Sequence, residues 1–93
     1  MHRTKIPSIQ VIMFRRFVQA IKKQERASYQ MGCYEKNSQK YMEWREVWLH
    51  CGGIVQGILD IADDMEEHYR DMHNRFLNAG YFIAQRERRK HQK

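Results

Sequence analysis

Apolar residues recur along this chain at the spacing of a helix face in two separate stretches. In the first, Val11, Phe14, Val18 and Ile21 fall at steps of three and four residues with Phe17 widening the stripe, and Arg15, Arg16, Gln19, Lys22, Lys23 and Arg26 occupy the other side. The pattern predicts an amphipathic helix with a basic back over residues 9–31. Ser8 is a suitable N-cap because its hydroxyl can accept from an otherwise unpaired amide one turn in, and Pro7 ends a basic arm over residues 1–8. Gly32 suits the C-terminal end, where a residue without a Cβ enters the left-handed conformation at no steric cost. A linker over residues 32–37 follows.

From Tyr41 onward the repeat is one of seven. With Tyr41 at position a, the a series is Tyr41, Trp48, Val55, Ala62, Tyr69, Phe76 and Ile83, and the d series is Trp44, Cys51, Ile58, Met65, Met72 and Ala79. The phase survives Gly52, Gly53, Gly57 and Gly80, so the simplest expectation is one long helix over residues 38–88, with a turn at Gly52-Gly53 as the alternative. Each interior glycine costs about 1 kcal/mol against alanine, and close approach of a neighbouring helix is the usual compensation. Gly52 and Gly80, at e positions beside the seam, are the candidates for it.

Tyrosine and tryptophan at a positions and an apolar g column of Val47, Ile54, Ile61 and Phe82 give a wider stripe than a two-stranded zipper uses. The fold class expected is therefore all-α: a helical hairpin of a short amphipathic helix and a long heptad-patterned one, in a bundle or dimer. A helix from Tyr41 to Ile83 spans about 65 Å and the first helix about 35 Å, so half the seam is left uncovered. Met65, Tyr69, Met72, Phe76, Ala79, Phe82 and Ile83 then form the expected protein interface, against a second chain, a partner protein or a folded-back C-terminus, since a strip of that size is rarely left in water.

Charge changes this picture by dividing the chain. The net charge of +6 is made of two basic ends around an acidic middle, Asp60 to Asp71, which suits antiparallel self-association as readily as nucleic acid. As a nucleic-acid binder, the chain would use Arg15, Arg16, Lys22, Lys23, Arg26, Arg86, Arg88, Arg89 and Lys90 as phosphate contacts, the last four in a basic tail over residues 86–93. Composition narrows the rest. A hydrophobic content of 42% with 12% aromatics is too rich for a disordered chain, and a single proline favours helix. Cys33 and Cys51 match neither a zinc spacing nor a disulfide framework and read as reduced thiols in a cytoplasmic protein. The N-terminal apolar runs are too short for a signal segment, and no window approaches a membrane span.

Candidate chemistry is sparse. Asp60, Asp64 and His68 share a helix face and could offer metal ligands, but no Glu-x-x-His pair accompanies them, and no metal is expected. His50 beside Cys51 points about 100° away from it on a helix, and Cys51 holds a core position. No phosphate loop or serine elbow is present; neither a cofactor nor a small-molecule substrate is expected. The reading that remains is a non-enzymatic interaction module: an adaptor or modulator, of the compact kind phages and mobile elements often encode, that binds a larger protein or itself. A dimeric basic helical nucleic-acid binder is the alternative.

Overall fold

The computed structural model describes residues 8–91, which form three helices: α1 (Ile9–Met31), α2 (Gln39–Asp64) and α3 (Met72–Lys90). The basic arm before Ser8 and the last two residues of the basic tail lie outside the described residues. The first helix has the expected bounds. The Ser8 hydroxyl accepts from the Val11 N–H at 3.3 Å, and Ser38 does the same for α2, accepting from the Tyr41 N–H at 3.2 Å while donating to the Glu35 carbonyl at 2.7 Å. Gly32 closes α1 but in the right-handed region, φ −68°, so the left-handed cap expected there is not used. Its N–H bonds back to the Ser28 and Tyr29 carbonyls instead.

The glycines at 52, 53 and 57 do not break α2. The break falls later, at Met65 to Asp71, and the single helix expected over residues 38–88 is two helices joined by a turn. Two forces account for it. Asp60, Asp63, Asp64, Glu66 and Glu67 crowd like charges at helical spacing, each close pair costing a few tenths of a kcal/mol, and they gather where the helix dipole already disfavours anions. Folding back also lets Met72 and Phe76, 3% and 6% exposed, bury against α1 rather than wait for another chain. The turn occupies one heptad, Met65 to Asp71. The a/d phase therefore resumes unchanged in α3, and the register gives no sign of the interruption.

The turn is locally specified. The Glu66 carboxylate accepts from the Asp71 N–H at 2.8 Å, and Asp71 takes the left-handed conformation, φ 62°, a region that costs a non-glycine residue about 1 kcal/mol or more. Asp71→Gly is expected to raise stability by about 0.5–1 kcal/mol, and Asp71→Val to lower it, in denaturant unfolding; equal stability of the two variants would contradict this backbone geometry.

α1 is the shared member. It runs antiparallel to α2, with Gln24 beside Gly52, and parallel to α3, with Phe14 and Phe17 beside Phe76 and Glu25 beside Arg88. The core is Met13, Phe17 and Ile21 of α1, Ile58, Leu59 and Ala62 of α2, and Met72 and Phe76 of α3, with Val55, Met65, Tyr69 and Ile83 packed against it. Two expectations are corrected here. The buried stripe of α1 is turned from the predicted one, centring on Met13, Phe17, Ala20 and Ala27, so that Val11 and Phe14 are exposed. The heptad seam widens on its e side, through Leu59 and Gly80, and the g residues Ile54, Ile61 and Phe82 face outward.

Glycine explains that rotation. A Cβ on Gly80 would stand 2.8 Å from Ile21 Cδ1 and 2.9 Å from the Phe17 ring, and one on Gly52 would stand 2.9 Å from Gln24 Nε2. These two positions are where α3 and α2 approach α1. A Cβ on Gly53 or Gly57 would meet nothing within 4 Å. Gly53→Ala and Gly57→Ala are thus expected to stabilise by up to about 1 kcal/mol each through helix propensity, whereas Gly80→Val should cost about 1–3 kcal/mol by overpacking. Thermal melts of the three variants check the order; a stabilising Gly80→Val would contradict the α1–α3 contact.

Candidate interaction site

Because α2 and α3 each lean on α1 and meet one another least, a groove of about 440 Å³ stays open between them. Phe17 and Ile21 of α1 form its floor, Val55 and Leu59 of α2 one wall, and Leu77, Gly80, Tyr81 and Ala84 of α3 the other, with Gln24, Glu25 and Asn78 as polar groups among them. Leu77 is 48% exposed and Tyr81 68%. Exposed apolar side chains above an apolar floor give this groove a surface that can take an apolar group.

The mouth of the groove is fixed by an ion pair. Arg88 donates from Nε and Nη2 to the two carboxylate oxygens of Glu25, both at 3.0 Å, and this hydrogen bonding, followed by the Glu25 charge, raises the Arg88 pKa. Exposed pairs contribute about 0.2–1 kcal/mol, and a two-pronged one lies near the top of that range. Beyond it, Tyr29 stacks on His91 with ring centroids 4.1 Å apart, which anchors the end of α3 to α1.

The sequence-predicted interface residues divide. Met72 and Phe76 are buried in the chain's own core, Met65, Tyr69, Ala79 and Ile83 are half-buried, and Phe82 is 64% exposed. The strip was expected to meet a second chain, a partner protein or a folded-back C-terminus; instead α3, which carries most of it, folds back and lays Met72 and Phe76 on α1. Leu77 and Tyr81, which line the open groove, escape sequence reasoning because they lie off the a and d positions. Their only signal is an apolar residue flanking the seam on both sides of Gly80.

The basic candidates Arg15, Arg16, Lys22, Lys23, Arg26, Arg86, Arg88, Arg89 and Lys90 are all exposed. Arg88 is committed to Glu25, and Lys90 pairs with Glu87 at 3.0 Å. Lys22, Arg86 and Lys90 come together with Phe14, Val18, Phe82 and Ile83 around a second cleft, of about 290 Å³, between α1 and α3. Arg16, Lys23 and His50 lie along the α1–α2 seam. Elsewhere the chemistry stays dispersed: His50 is exposed while Cys51 is buried, Asp60 accepts from Gln56 at 2.9 Å, and among the described residues no group of three or more His, Cys, Asp or Glu could hold a metal ion. Both cysteines are free. Among the described residues no helix is long and apolar enough to cross a membrane. Comparison with protein-family models, curated proteins and solved structures finds no match to this chain.

Proposed function

We propose that this chain is a non-enzymatic interaction module whose working surface is the α2/α3 groove, and that a second copy of the chain fills it. The carrying observation is the groove itself, with Leu77 and Tyr81 exposed over an apolar floor. Charge selects the occupant. The molecule is polar end to end: Asp60, Asp63, Asp64, Glu66, Glu67 and Asp71 are exposed around the α2–α3 turn, and Arg86, Arg88, Arg89 and Lys90 are exposed at the far end of α3. A second copy turned end for end about an axis beside Asn78 brings its own Leu77 and Tyr81 against the groove. It also sets the basic end of each α3 beside the acidic turn of the other. Such an isologous contact uses one patch twice and closes on itself. Opposed charges fix its direction more than its strength.

Disulfide trapping tests the arrangement. In a Cys33→Ser background, which removes the exposed native thiol, Asn78→Cys is expected to form a covalent dimer on mild oxidation, and Lys23→Cys, on the α1–α2 seam away from the groove, to remain monomeric. Equal trapping at both positions, or trapping only at residue 23, would contradict the groove as the contact. Retention of monomer by both variants would reject the second copy as its occupant.

A further inference from the structure

The cleft on the opposite side of the α1–α3 contact shares no residue with the α2/α3 groove, and its chemistry is different. Phe82 is 64% exposed and Phe14 37%. Phe14 is held edge-on to the buried Phe76, with centroids 5.3 Å apart and planes at 67°, so its ring is fixed in place. Lys22 and Arg86 flank the two rings from α1 and α3. Arg15 and Arg26 share the side of α1 that Lys22 holds, at steps of seven and four residues, and continue its positive charge along α1 beyond the cleft lining. Of the nearby acids, Glu25 is turned to Arg88, and Glu87 borders the cleft paired with Lys90, which also lines it, so that pair leaves the charge of Lys22 and Arg86 unopposed.

We propose that this cleft binds single-stranded nucleic acid, with Phe82 and Phe14 supplying faces for bases and Lys22, Arg86 and Arg15 holding backbone phosphates. Exposed phenylalanines alone would suit an apolar partner, and exposed cations alone any polyanion. A polymer that alternates flat π-faces with phosphates answers to both at once. A duplex keeps its bases stacked on one another and gains nothing from the rings. The side chains that make the site come from two helices, which is why the sequence shows basic residues without the interleaved aromatics that such a binder uses.

Fluorescence anisotropy with labelled oligothymidylate, and with a duplex of equal length, tests the proposal on the whole chain. Binding to the single strand is expected to exceed that to the duplex at equal salt. Phe82→Ala, which removes an exposed ring and whose fold is to be checked by circular dichroism, should weaken single-strand binding by about tenfold without changing its salt dependence. The double variant Lys22→Glu with Arg86→Glu should weaken it and flatten the log-log salt slope by about 0.7 for each phosphate no longer held, while Lys40→Glu, outside the cleft, should not. The proposal is overturned if Phe82→Ala binds as the unaltered chain does, if Lys40→Glu is as damaging as the cleft reversals, or if the protein binds phosphatidylserine vesicles but not oligothymidylate.

Discussion

Phe17→Ala is expected to cost about 3–5 kcal/mol, a large part of the net stability of a small domain. Phe17 is 1% exposed. It packs on Phe76 with ring centroids 5.4 Å apart, and its ring lies within van der Waals reach of the Gly80 backbone, where a Cβ would stand 2.9 Å away. One side chain therefore fills the space between α1 and α3 and also floors the α2/α3 groove. Its loss leaves a cavity that no neighbour can close without moving α3, and α3 is pinned at both ends, by Phe76 and by the Arg88–Glu25 pair. Denaturant unfolding of Phe17→Ala beside Phe82→Ala, a removal of the same size at an exposed position, measures the difference directly. A cost under about 1 kcal/mol at Phe17, below the usual range for a buried ring, would mean that α1 and α3 are not joined as described.

That contact is only half legible in the sequence. The apolar stripe and Ser8 mark the bounds of α1, and the unbroken phase across Gly52, Gly53 and Gly57 correctly implies one helix through all three. The same unbroken phase misleads at Met65 to Asp71, because a turn that consumes one heptad returns the chain to its former register. Acid crowding is visible there, but along the linear chain it suggests an electrostatic belt as readily as a helix end. The length mismatch between the two expected helices rightly demands a cover for Met72 and Phe76, but it takes α1 to be out of reach, and the break after Asp64 brings them onto α1 itself. The open groove is harder to find, since Leu77 and Tyr81 acquire their meaning from where α2 stands relative to α3. That spacing depends on which glycines α1 presses against; the e positions of Gly52 and Gly80 single them out from Gly53 and Gly57 in the sequence, but which helix approaches them shows only once the helices are packed.

Tyr81→Ala is expected to weaken self-association by about thirtyfold or more, the effect of a central aromatic anchor worth about 2 kcal/mol, while leaving the monomer fold nearly as stable as before. The two effects separate because Tyr81 is 68% exposed in the single chain and so contributes little to folding. In the proposed pair it lies within one turn of the axis beside Asn78, over the Phe17 and Ile21 floor. Salt provides a second discrimination. The anchor contribution is apolar and should persist at high salt, whereas the pairing of Arg86 and Arg89 with the acidic turn of the other copy is exposed and should be screened. A Tyr81→Ala chain that associates as strongly as the original would remove this residue from the interface.

Self-association through the groove carries the functional reading, and sedimentation equilibrium of the unaltered chain over a range of micromolar concentrations is its plainest test. The expected result is the mass of two chains at the upper concentrations, falling toward one on dilution and shifted toward one by Tyr81→Ala. A single-chain mass throughout, with cooperative unfolding at a temperature independent of concentration, would contradict it.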